Sequence, residues 1–126
     1  MSGERVLVLA DDLIWGTRLV GHVRSADAEP IPARTSVAFN AALGGADGAI
    51  VDLTSRGYDG LAMIAAARDA GVGVLAVGQH DDHVLRRDAL AVGADRVLAY
   101  RKLFEDGPAT IRRWLDATKT TEAASR

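Results

Sequence analysis

Apolar residues along the chain form five short runs, separated by stretches in which they return every three or four positions. The runs are Arg5 to Ala10, Glu29 to Ala33, Ala49 to Leu53, Val72 to Val77 and Arg96 to Ala99. Between and after them the helical spacing is carried by Leu19, Val20 and Val23, by Phe39, Ala42 and Leu43, and by Leu61, Ile64 and Ala65. Leu85, Ala89 and Val92 continue it, and Ile111, Trp114 and Leu115 close it. The pattern predicts strand and helix in alternation, five times. Ser36, Asp59 and Asp82 stand where they can cap helix starts, Pro108 suits a first helical turn, and Gly44 and Gly93 suit helix ends. Pro30 and Pro32 remove two ladder donors from the second run and assign it to a sheet edge.

Repeated βα units with short connections build a parallel sheet covered by helices on both faces, because the crossovers are right-handed. In such sheets, sites form at the carboxyl ends of the strands, near the point where strand order reverses. Asp11 and Asp12 close the first run and Asp52 closes the apolar part of the third. Ala49, Ile50 and Val51 read as a strand buried on both faces, where an unpaired carboxylate is costly. Three anions at about 5 Å would repel by ~3 kcal/mol per pair at an effective dielectric near 20, before screening or protonation. A cation would relieve that. The alternative is that each Asp only caps a helix or begins a turn.

Composition narrows the field. The chain has 126 residues, 48% of them hydrophobic, which suits one domain with a real core. The expected division is a domain over 1–117 and a flexible tail or linker over 118–126, where apolar spacing is lost. Fifteen Lys and Arg against 17 Asp and Glu give a net charge of −2, so there is no basic excess for direct nucleic-acid binding. The absence of cysteine excludes disulfides and thiolate metal sites. No apolar run approaches the ~20 residues of a membrane span, and no signal segment follows Met1. A cytoplasmic protein without membrane contact is the expectation.

Three stretches in order carry a resemblance. VLVLADD, IVDLTSRGYDGL and ALAVGADRVL resemble the first strand with its acidic pair, the phosphoacceptor strand, and the approach to the fifth strand of response-regulator receiver domains, the CheY-like family. Gly60, eight positions after Asp52, matches the glycine that opens the family's third helix. The resemblance implies a three-layer α/β/α sandwich, flavodoxin-like, with a five-stranded parallel sheet of order 2-1-3-4-5. It implies that Asp52 is the phosphoacceptor, that Asp12 ligates Mg2+ directly, that Asp11 does so through water, and that Asp52 and the backbone carbonyl of Thr54 complete the protein ligands. Such chemistry is reasonable at this rim: phosphoryl transfer asks chiefly for a positioned nucleophile and charge neutralisation, and Mg2+ prefers oxygen ligands. Any catalysis would be limited to self-phosphorylation from a phosphodonor and slow autodephosphorylation.

Two positions depart from the family's pattern. Gly78 stands where the family has a Thr or Ser, and Tyr100 where it has a Lys, with Arg101 in place of the following Pro. Arg101, Lys102 or Arg56 are the alternatives for the missing cation, although a one-residue shift along a strand reverses the face of a side chain. The family's rotating aromatic on the fifth strand is matched by Val97. Thr54 and His80, two positions beyond Asp52 and Gly78, are candidates for setting phosphate lifetime. The QHDDH stretch, with His80 and His83 three apart, reads as a helix start better than as a metal site. Trp15 is expected near the site mouth or in the core, and Trp114 in the core.

The first functional expectation is therefore a phosphorelay module with atypical switching. Its partners would be a histidine kinase or phosphotransfer protein and an unidentified downstream protein, with a homodimer left open. The second is a phosphorylation-independent pseudo-receiver that acts as a protein-interaction module. A small nucleotide-binding enzyme is the least supported, since the glycine-rich dinucleotide and P-loop motifs are absent.

Overall fold

Alternation within each strand decides which helices it meets. The computed structural model describes residues 3–124. Its elements are β1 (Arg5–Leu9), α1 (Leu13–Ser25), β2 (Glu29–Ala33), α2 (Ser36–Ala42) with a 3-10 turn over Leu43–Gly45, β3 (Gly48–Asp52), α3 (Gly60–Asp69), β4 (Gly73–Gly78), α4 (His83–Val92), β5 (Arg96–Ala99) and α5 (Tyr100–Ala124). Val6, Val8, Ile50, Leu75 and Val77 pack with Leu19 and Val23 of α1 and with Ile111, Trp114 and Leu115 of α5. Their strand neighbours Leu7, Leu9, Val51, Val74 and Ala76 pack with Phe39 of α2, Ile64 of α3 and Ala89 of α4. Each fully buried Leu, Ile or Val of this kind contributes about 1.5–3 kcal/mol through removal from water.

The sheet is parallel with the order β2-β1-β3-β4-β5, the expected one. Leu7 is level with Ile31 on one side and Ala49 on the other. The second strand, with Pro30 and Pro32, lies at the edge. Strand order reverses between β1 and β3, so the crevice above their carboxyl ends is where a site is expected. Leu9, Val51 and Asp52 are the residues that arrive there.

Most helix punctuation follows the sequence pattern. Asp59 accepts from Ala62 N at 3.1 Å and Asp82 from Leu85 N at 3.0 Å, each capping its helix. The α2 cap differs: Thr35, not Ser36, accepts from Ala38 N at 3.1 Å. Thr35 has the extended backbone an N-cap requires, whereas Ser36 is already helical. Gly93 ends α4 at φ 120°, a conformation that an L side chain rarely adopts. In α5 the helical backbone breaks at Asp106 (φ −150°, ψ 37°) and resumes around Pro108, in keeping with a first-turn proline. The part of α5 before that break was not legible in the apolar pattern. It begins at Tyr100 directly after Ala99, with no loop between β5 and α5. The backbone continues as helix to Ala124, through most of the tail expected over 118–126, and residues 125–126 lie outside the described residues.

Candidate functional site

Asp52 ends β3 in the middle of the sheet and is only 1% exposed, so its carboxylate depends on protein donors. Its Oδ1 accepts from Thr54 N at 3.0 Å and from Thr54 Oγ1 at 2.8 Å. The third donor is the Tyr100 hydroxyl. Tyr100 Oη also lies 2.8 Å from Thr54 Oγ1. Two hydroxyl protons thus serve three oxygen–oxygen contacts, and at most two of those contacts are hydrogen bonds at any moment. Starting α5 immediately after β5 is what brings the Tyr100 ring over the end of β3.

The acidic pair of the β1–α1 turn is divided between two tasks. Asp12 is exposed and caps α1, its Oδ1 accepting from Trp15 N at 2.9 Å. Asp11 is half-buried and turned toward the β3–α3 loop: a β-carbon on Gly57 would lie 2.6 Å from Asp11 Oδ2. Gly57 is the residue that leaves room for this carboxylate. Arg34, just beyond β2, donates to the Asp11 carbonyl at 3.1 Å and fixes the turn from outside.

Tyr58 completes the rim. Its hydroxyl donates to the Asp52 carbonyl at 2.5 Å and lies 3.2 Å from the Leu9 carbonyl, tying the ends of β1 and β3 together. Burial, and then the charges of Asp52 and Asp11, push its phenol well above the usual range. Burial is also the chief cause for Tyr100, followed by its hydrogen bond to Asp52, and the phenol is held higher still. Both tyrosines are therefore neutral donors at any ordinary pH.

Trp15 lies at the site mouth. Its ring packs on Tyr100 with centroids 4.0 Å apart and planes inclined by 32°. Arg18 Cζ sits 5.4 Å from the Trp15 centroid and 5.5 Å from that of Phe104, extending the stack to the surface of α1 and α5. Trp114 is in the core, its Nε1 donating to Asp95 Oδ2 at 3.1 Å.

The candidate cations do not reach Asp52. Arg101 pairs with Glu105 at 3.2 Å and Lys102 with Asp106 at 3.9 Å, both along the outside of α5. Arg56 is exposed on the β3–α3 loop. Gly78, level with Ala99, and Val97, level with Ala76, are buried on β4 and β5 and flank a cavity of about 10 Å³ that Leu53 and Leu85 also line. His80 and His83 are exposed at the start of α4.

As donors, Asp11, Asp12, Asp52 and the Thr54 carbonyl suit Mg2+ in kind, since all are hard oxygens. They are not assembled for it. Among the described residues no group of three His, Cys, Asp or Glu side chains is placed to hold a metal ion. Asp12 is committed to its helix and Asp52 Oδ1 to Tyr100 and Thr54. Tyr58, Arg34 and the reach of Tyr100 to Asp52 had no signature in the sequence pattern. Only Tyr100 was singled out there, as a departure.

No protein-family model and no curated protein matches this chain. Solved structures do. The signal receiver domain of a putative Luxo repressor protein from Vibrio parahaemolyticus superposes with a TM-score of 0.82 at 15% identity, covering 99% of each chain. A response regulator protein from Burkholderia pseudomallei, with a phosphorylated aspartic acid, calcium ion and citrate, gives a TM-score of 0.75 at 20% identity, over 98% of this chain and 75% of that one. The receiver domain of the sensor histidine kinase PA1611 from Pseudomonas aeruginosa, with a magnesium ion coordinated in the active site cleft, gives 0.77 at 16%, over 91% and 99%. The fold is therefore that of response-regulator receiver domains, the CheY-like arrangement of the flavodoxin-like class. At such identities the likeness establishes fold, and function has to be argued from the site.

Proposed function

We propose that the chain is a receiver module of two-component signalling in which Asp52 accepts a phosphoryl group. The observation that carries this reading is the position of Asp52: buried at the end of the central strand, at the reversal of strand order, with Asp11 and Asp12 on the adjoining turn. Transfer would form a bond between a carboxylate oxygen of Asp52 and phosphorus as the donor's bond to that phosphorus breaks, the leaving group departing in line. A histidine kinase or phosphotransfer protein would be the donor, and an unidentified protein the receiver of the signal. Mg2+ is the cofactor this reading requires, with Asp12, Asp52 and the Thr54 carbonyl as ligands and Asp11 acting through water. Thr54 and His80 would tune phosphate lifetime. The absence of a hydroxyl at position 78 and of an aromatic side chain at Val97 supports atypical switching. No helix of the described residues is long and apolar enough to cross a membrane; a cytoplasmic setting belongs to this reading as an expectation.

A second reading is favoured by one specific contact. The bond from Tyr100 to Asp52, together with the unassembled acids, suits a module that binds its partner without phosphorylation. Intact-mass measurement after incubation with Mg2+ and acetyl phosphate separates the two. A phosphate-sized adduct on wild type and none on Asp52→Asn supports phosphotransfer; no adduct on either, from a folded protein, supports the binding module.

A further inference from the structure

We propose that Tyr100 is a latch on Asp52: its hydroxyl occupies one of the two carboxylate oxygens that a metal ion and phosphorus would need between them, and the site opens fully only when the phenol leaves. The inference deepens the phosphoacceptor reading and rests on it for the role of Asp52. Three features of the geometry carry it. The first is crowding at one atom, since Thr54 N, Thr54 Oγ1 and Tyr100 Oη all converge on Asp52 Oδ1. With these donors around it, Oδ1 is not open for attack or for ligation, and only the other carboxylate oxygen is left for either. Thr54 reaches that oxygen from two residues away and moves with it, whereas Tyr100 comes from the far end of the sheet and is the donor that can withdraw alone.

The second feature is that the group facing the carboxylate is a phenol, a neutral donor, and not an ammonium or guanidinium. It offers the carboxylate a hydrogen bond but no charge, so it cannot neutralise an incoming phosphoryl group as an ammonium would. It competes with the cation instead of replacing it. The third is that the latch is braced. The Tyr100 ring packs on Trp15, and Arg18 bridges Trp15 to the exposed Phe104. Because Tyr100 follows Ala99 without a loop, its ring leaves Asp52 by breaking that stack, and opening is felt at the α1–α5 surface.

Tyr100→Phe removes the hydroxyl while keeping the ring on Trp15, and Trp15→Leu removes the brace while keeping the hydroxyl. Mg2+ affinity by calorimetry and adduct formation with acetyl phosphate are measured for wild type, both variants and Asp52→Asn. Loss of a hydrogen bond to a carboxylate predicts Mg2+ binding tighter by about tenfold or more in Tyr100→Phe, with faster adduct formation, and a smaller change of the same sign in Trp15→Leu. Equal or weaker Mg2+ binding in Tyr100→Phe overturns the latch, whatever the adduct does. Tighter Mg2+ binding without any adduct in wild type or variant leaves the latch standing and removes Asp52 as phosphoacceptor. Adducts at equal rates with unchanged Mg2+ affinity do the reverse.

Discussion

The Tyr58 hydroxyl donates to the carbonyl of Asp52 at 2.5 Å, bringing a loop side chain back onto the strand that precedes it. The Leu9 carbonyl is 3.2 Å from the same oxygen, so one phenol spans the ends of β1 and β3 where their pairing stops at Leu9 and Val51. Tyr58→Phe keeps the ring and removes only this tie. The expected loss is about 1 kcal/mol, read as a fall of a few degrees in the thermal midpoint. An unchanged midpoint would mean that the tie contributes nothing to holding the rim.

Alkaline titration follows from the same two phenols. Tyr58 and Tyr100 are the only tyrosines in the chain, and both are raised above the usual value, chiefly by burial and then through Asp52. The folded state therefore holds these protons more tightly than the unfolded chain, in which tyrosine titrates near ~10. Their contribution to stability is complete below that pH and is lost as pH rises toward the folded-state values. Ultraviolet absorbance should show no phenolate until the protein unfolds, and then both at once. Asp52→Asn should lower the onset for Tyr100. A smooth phenolate titration near pH ~10 in folded protein would contradict the burial of both rings.

Strand order came with the family resemblance, whereas the edge position of the proline-bearing second strand and the helix caps at Asp59 and Asp82 were legible because each is set by local pattern or local chemistry. The placement of Asp52 was legible for the same reason: a carboxylate that interrupts a doubly buried strand marks a strand end. What joined Tyr100 to Asp52 was not. That contact depends on a helix starting with no intervening loop, and between Arg101 and Asp106 two charge pairs, Arg101 with Glu105 and Lys102 with Asp106, leave little apolar periodicity to announce it. Of the two uses the sequence left open for the three acids, a shared site and helix capping, one acid has the second. Asp12 satisfies the first turn of α1, and capping is a local need that is met whether or not a metal is present.

That division of labour makes Asp12 informative. Asp12→Asn preserves an oxygen that can cap α1, so the stability of the metal-free protein should be unchanged or slightly raised. Asp12→Ala removes the cap and should cost about 1 kcal/mol. Both should abolish any stabilisation by Mg2+, which for wild type follows RT ln(1 + [L]/Kd) and reaches about 2.7 kcal/mol only at a hundredfold excess over Kd. Thermal melts of the three proteins with and without Mg2+ decide this. If Asp12→Asn retains the full Mg2+ response, Asp12 is a cap and not a ligand.

The two departures at Gly78 and Tyr100 can be repaired together, and the structure says what each repair meets. A β-carbon on Gly78 contacts only Leu53, at 3.8 Å, which is ordinary van der Waals distance. A β-branched residue also suits a strand position such as the last of β4. Gly78→Thr should therefore be tolerated and place a hydroxyl beside the end of β3. Tyr100→Lys removes the phenol from Asp52 Oδ1 and brings a cation in its place, at the cost of the ring packed on Trp15. Charge-assisted hydrogen bonds of the kind these groups offer contribute about 1.5–3 kcal/mol each, so the double variant should bind beryllofluoride with Mg2+ markedly more tightly than wild type, with Gly78→Thr alone giving the smaller share because the phenol still covers the oxygen. Calorimetry is the right readout, since the loss of the Tyr100 ring alters Trp15 fluorescence before any ligand is added. The repair should not restore a conformational output: position 97 remains a buried Val, without the aromatic side chain whose rotation the family uses. Amide hydrogen exchange on α4 and β5 should accordingly change little when the mimic binds to wild type or repaired protein. No gain in mimic affinity, or a large change in exchange already present in wild type, would count against the account of Gly78 and Tyr100 as the residues that separate chemistry from switching.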